Sequence, residues 1–126
     1  DLIERALRVR KILGGGMRQV GYLAACGIYA LENNFLRLSK DHDRASEIEK
    51  TLNNLSFIKK VEPVETNIVI FEIDSIINSD LFINKLNEKG IKIISMGDNK
   101  LRIVTHLDYT DEMHQAFLKI LNELKF

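Results

Sequence analysis

Near residue 56 the spacing of apolar side chains changes period, and that change decides what the chain can fold into. Before it, apolar residues recur at intervals of three and four. After it, they fall in short β-branched and aromatic stretches separated by turn residues. Residues 2 to 13, "LIERALRVRKIL", read as an amphipathic helix stopped by glycines. Residues 17 to 32 read as a second helix, apolar almost all round and therefore expected to be buried on most sides. Gly21 and Gly27 weaken that helix alone but allow a neighbour to approach closely. Residues 34 to 55 read as a third helix, with Phe35, Leu38, His42, Ala45, Ile48 or Glu49 and Leu52 at three–four spacing.

Beyond the change of period, "IKKVEPV" reads as a short strand that Pro63 confines to an edge. "NIVIFEI", residues 67 to 73, is the strongest strand. Residues 80 to 90 read as a helix ending at Gly90, with Lys85 and Lys89 near its C-terminal end. Residues 91 to 96 and 101 to 106 read as two strands around the turn "GDNK". Thr110 is a candidate N-cap for a last amphipathic helix running to residue 126. The order ααα then ββαββα implies an α+β fold, with helices packed on one face of a small, mainly antiparallel sheet. The expected division leaves residues 1–16 to something upstream and 17–126 as the domain proper.

Charge and cysteine usage narrow the function classes. The chain has 18 basic and 18 acidic side chains, so neither a nucleic-acid-binding tail nor an acidic solvating segment is expected. The longest apolar run, "VGYLAACGIYAL", falls short of the roughly 20 residues that span a bilayer. No signal peptide is expected, and a lone cysteine, Cys26, set among apolar neighbours, suits a reducing compartment and a small buried hydrophobe. A cytoplasmic protein is the expectation. The first residue lies within or just before a helical pattern, without an initiator methionine, as expected for a piece of a longer protein.

Two stretches could carry chemistry. "GGGMRQ", residues 14 to 19, places glycines ahead of a helix, with Arg18 in its expected first turn and Lys11 one loop away. Backbone N–H groups and the helix dipole there suit an anion, phosphate above all. The same stretch also reads as a flexible connector with an incidental arginine. In "KLRIVTHLD", residues 100 to 108, alternation puts Leu101 and Ile103 on one face and Arg102, Val104 and His106 on the other. An arginine fork there suits a carboxylate, or is simply a solvated side chain. His42, between Asp41 and Asp43, reads as a packed or capping histidine, because adjacent helical positions do not converge on one ion. His114 is expected to be exposed, and no metal site is expected.

Together, "RVRKILGGGMRQVGYLAACGIYALENNFLRLSKDHDRA", "TNIVIFEI" and "LRIVTHLDYT" resemble the C-terminal part of the low-specificity L-threonine aldolases. The resemblance implies the small domain of a fold-type I enzyme of the aspartate-aminotransferase kind, with pyridoxal 5'-phosphate as cofactor. It implies cleavage of threonine and related β-hydroxy-α-amino acids to glycine and an aldehyde. The lysine that carries the cofactor is expected in a large domain upstream, so this piece alone is expected to be inactive and to hold no catalytic residue. By resemblance, Arg102 clamps the substrate carboxylate, and Thr105 and His106 support it. Arg18, Lys11, Gly15 and Gly16 lie against the cofactor phosphate or the substrate, in their own or the neighbouring subunit. The expected partners are an amino-acid substrate, the large domain and further copies in a dimer or tetramer, with no nucleic acid and no membrane. A non-catalytic amino-acid-binding module or a dimerisation domain is the alternative.

Overall fold

The computed structural model describes all residues, Asp1–Phe126. They form two compact units, Asp1–Leu36 and Arg37–Phe126. No helix is long and apolar enough to cross a membrane.

The first unit holds two helices. Helix α1 spans Leu2–Ile12, and the Asp1 carboxylate accepts from the Ile3 N–H at 3.3 Å at its start. Its end explains two of the glycines. Gly14 sits at φ +85°, a conformation that side chains resist. The Gly14 N–H donates to the Lys11 carbonyl at 3.2 Å, and the Gly15 N–H to the Arg10 carbonyl at 2.7 Å. This is the Schellman pattern of helix termination. A Cβ on Gly15 would lie 2.6 Å from Arg10 Cγ and 2.9 Å from the Arg10 carbonyl oxygen.

Helix α2 spans Gly21–Asn33 and starts later than the expected residue 17. Gln19, at φ +51°, interrupts the chain just before it. Arg18 therefore precedes the helix rather than occupying its first turn. The expected burial of α2 is also corrected: within this chain every residue of it is exposed, Tyr22 at 80% and Leu31 at 69% among them. Cys26, expected to be buried, is exposed as well.

The second unit is the α+β domain. Helix α3 (Leu38–Asn53) leads to β1 (Ile58–Val61) and β2 (Ile68–Ile73), then α4 (Ser79–Asn87), β3 (Ile94–Gly97), β4 (Lys100–Val104) and α5 (Asp111–Glu123). The four strands form one sheet in the order β1-β2-β4-β3, every neighbouring pair antiparallel. β1 lies at the edge, as Pro63 requires. One sheet face carries Val69, Phe71, Ile73 and Leu101. They form a single core with Ala45, Ile48 and Leu52 of α3, Phe82 and Leu86 of α4, and Phe117 and Leu121 of α5. The Phe82 ring lies 6.1 Å from those of Phe57 and Phe71 and 5.4 Å from that of Phe126, distances at which ring pairs add to area burial.

Local chemistry sets the boundaries. Asn78 caps α4, its side-chain oxygen accepting from the Asp80 N–H at 2.8 Å and the Leu81 N–H at 3.1 Å. Thr110 caps α5 by accepting from the Met113 N–H at 3.2 Å. Asp98 and Asn99 both take positive φ in the β3–β4 turn, which matches strand twist. β3 was expected from residue 91 but begins at Ile94. The cause is a second Schellman ending at Gly90, φ +78°, where the Ile91 N–H donates to the Leu86 carbonyl at 2.9 Å. Ile91 is thereby tied to α4.

Candidate functional site

Strand β4 sorts its side chains by alternation. Leu101 is wholly buried in the core, and Ile103 packs against it. Arg102 lies on the other face, opposite Ile70 of β2 and Ile94 of β3. Its Nε is buried without a hydrogen-bond partner. A buried N–H in that state is costly, and an acceptor arriving there relieves the cost. Thr105 follows, fully buried, its hydroxyl donating to the Asp41 carbonyl at 2.7 Å. The Thr105 N–H donates to the Asn67 carbonyl at 3.0 Å, and Asn67 Nδ2 donates back to the Thr105 carbonyl at 2.8 Å. These bonds fix the end of β4. His106 is exposed, and the Asp108 N–H donates to its Nδ1 at 3.2 Å, which puts the proton of the neutral ring on Nε2.

Arg102, Thr105 and His106 line one cavity of about 470 Å³, between the end of β4, residues 89–94 and α5. The other predicted residues belong to the first unit. Lys11, Gly15, Gly16 and Arg18 are all exposed there. The Gly15 N–H is already given to Arg10, whereas Gly16 stands against the Lys11 side chain, whose Cγ lies 3.5 Å from where a Cβ would be. No side chain caps α2, and no acid lies in its first turn. The donors of this stretch thus suit a phosphate group.

A buried polar cluster went unseen in the sequence. The apolar register of α3 runs through Asp41, Arg44, Ala45, Ile48 and Leu52, not through His42 as expected. Asp41 is 2% and Arg44 6% exposed. Arg44 donates to the Tyr109 carbonyl and, at 2.6 Å, to Asp111. Arg37 donates to Asp41 at 2.8 Å. His114, expected to be exposed, is buried between Glu47, 2.8 Å from its Nε2, and the Tyr109 hydroxyl, 3.2 Å from its Nδ1. Its position three residues before Phe117 and seven before Leu121 on α5 was the available signal. Burial pushes the Tyr109 hydroxyl pKa up to about 12, against the opposing pull of Arg44.

Asp111 gives this cluster a pH dependence. Hydrogen bonds from Lys40 and then Arg44 hold its pKa at about 2, below the ordinary 3.8. A carboxylate depressed on folding stabilises above its unfolded pKa, and that contribution disappears as pH falls through the folded value. Asp111→Asn is therefore expected to lower the urea midpoint above about pH 4 and to converge on the parent near pH 2. A deficit independent of pH over that range would refute the assignment.

The sequence model of the family described as "Beta-eliminating lyase" matches residues 1–75. The chain belongs to the beta-eliminating lyase family. Among its relatives, the low-specificity L-threonine aldolase 1 of Arabidopsis thaliana is 38% identical over 113 residues, 87% of this chain and 32% of the relative. The low specificity L-threonine aldolase of Escherichia coli K12 is 39% identical over 114 residues, 89% of this chain and 32% of the relative. The chain thus spans about a third of the length of these curated relatives. The fold is that of the small domain of fold-type I enzymes. It superposes on a decarboxylase from Sulfurospirillum multivorans with a TM-score of 0.63 at 19% identity, covering 90% of this chain and 35% of that one. The cystine C–S lyase C-DES with its product cysteine persulfide gives 0.62 at 20% identity, covering 82% and 28%. Another C-DES structure carries glycine covalently linked to its PLP cofactor.

Proposed function

We propose that this chain is the C-terminal third of a pyridoxal-phosphate-dependent L-threonine aldolase, cleaving threonine and related β-hydroxy-α-amino acids to glycine and an aldehyde. In this reading residues 1–16 end the large domain and 17–126 form the small one. The unpartnered Nε of Arg102, buried at a cavity wall in a domain so similar to threonine aldolases, carries the reading. Arg102 receives the substrate α-carboxylate. Its planar fork meets both carboxylate oxygens and so fixes the rotation of the amino acid as well as its place. Thr105, clamped to Asp41 and Asn67, holds β4 in register beneath that arginine. His106 stands at the same cavity as a supporting polar group.

Lys11, Arg18 and the backbone at Gly16 suit the cofactor phosphate, with Gly15 shaping the turn, in their own or a neighbouring subunit. When bound, the cofactor supplies the electron sink that Cα–Cβ cleavage needs. The protein is read as cytoplasmic and as a homo-oligomer, dimer or tetramer.

The test is an absorbance spectrum with added pyridoxal phosphate, on the full-length protein and on the 126-residue chain. The full-length protein is expected to show a visible band and to release glycine from threonine, and the shorter chain neither. No band in the full-length protein would end the lyase reading. Arg18→Ala in the full-length protein is expected to weaken cofactor binding about tenfold by spectrophotometric titration, the loss of one charge-assisted phosphate contact. Unchanged affinity would remove Arg18 from the phosphate site.

A further inference from the structure

The cavity beside Arg102 holds more than a carboxylate requires. β3 pairs with β4 only as far as Ile94 opposite Arg102, while β4 continues to Val104. Residues 90–93 are held away by the glycine ending of α4. The gap this opens reaches α5, and its inner wall is apolar, with Ile91, Ile93, Ile103, Phe117 and Ile120. Its charged lining residues are Lys89, Lys92 and Arg102, and no carboxylate lines it. An amino acid as small as glycine would engage Arg102 and leave that wall uncovered. A ligand that satisfies both features has one anionic end and an apolar body.

We infer that the cavity binds short aliphatic monocarboxylates, with the carboxylate on Arg102 and the tail between β4 and α5. The inference rests on Arg102 as a carboxylate receptor. Because the anion takes the same fork as the amino acid, such acids act as competitive inhibitors. Their potency rises with tail length until the wall is covered. Each fully buried methylene raises affinity about fourfold, so even partial burial of a four-carbon extension gives a large increment.

The test titrates the isotope-labelled 126-residue chain with acetate, hexanoate and neutral hexanamide, reading backbone amide shifts. Hexanoate is expected to bind at least about tenfold more tightly than acetate, with shifts centred on Ile103, Phe117 and Ile120. Arg102→Gln removes both the charge and the fork and is expected to weaken hexanoate by about a hundredfold or more. Ala116→Trp, an exposed position on α5 at the cavity wall, is expected to bring hexanoate down to the affinity of acetate. Several results overturn the inference. Acetate and hexanoate binding equally, both weakened by Arg102→Gln, would remove the tail site and keep the carboxylate receptor. Hexanamide matching hexanoate would remove the anionic end. Hexanoate binding that ignores Ala116→Trp would place the tail elsewhere on the chain. No binding by either acid would remove the tail site and the receptor together.

Discussion

Arg102→Lys in the full-length protein is expected to lower kcat/KM for threonine about a hundredfold while the cofactor absorbance band persists. The substitution keeps the charge and removes the fork. A lysine ammonium makes one directed contact where the guanidinium makes two parallel ones. Losing a charge-assisted hydrogen bond costs about 1.5–3 kcal/mol, and a hundredfold corresponds to about 2.7 kcal/mol. If the carboxylate is held equally in the ground and transition states, the loss falls on KM. If the fork also fixes the rotation about Cα, kcat falls with it. An analogue with hydrogen in place of the carboxylate separates recognition from misfolding, because parent and variant should handle it alike. A change of less than about threefold with threonine would place the carboxylate elsewhere and leave the buried Nε unexplained.

The face that Arg102 occupies was legible because a strand has a period of two, while its role came only from the family resemblance. Once Leu101 is assigned to the core, its neighbour must face the other way. The β3–β4 turn and the cap at Thr110 were legible for similarly local reasons. The cavity was not. It exists because β3 starts at Ile94, and that start depends on a hydrogen bond from Ile91 to Leu86 at the end of α4. Nor does composition reveal the helix ending that uses the Gly14 and Gly15 N–H groups, which leaves Gly16 as the glycine with an N–H to offer an anion. The burial expected of α2 followed from its apolar surface alone, and an apolar helix is buried only where something covers it. His114 and Arg44 were missed for the opposite reason. Polar residues in an apolar register look like errors of phase until their partners on another helix are known.

Those partners make Arg44 the second residue whose loss should be severe. Arg44→Leu is expected to destabilise the second unit by about 3 kcal/mol, because it leaves buried polar groups without their cation. Asp41, 2% exposed, would retain Arg37 alone, and the Tyr109 carbonyl and Asp111 would each lose a donor. The pair can be separated from its burial. Asp41→Leu combined with Arg44→Leu removes both buried charges, so it should be less destabilising than the sum of the single changes. Urea unfolding of the 126-residue chain measures all three, with an unchanged m-value as the check that the unfolding transition is the same. A single-variant loss under about 1 kcal/mol would mean that the cluster behaves like a surface ion pair. The consequence reaches the site through Thr105. Its hydroxyl is held by the Asp41 carbonyl, and Arg44 holds the chain again at Tyr109. Helix α3 thus grips both ends of the segment that follows β4. Arg44→Leu should therefore speed amide exchange at Thr105 and Tyr109 more than at Val69 or Phe71 in the core, provided the segment opens before the domain unfolds. Uniform acceleration across all four amides would show that Arg44 stabilises the unit as a whole and does nothing particular for the strand that carries Arg102.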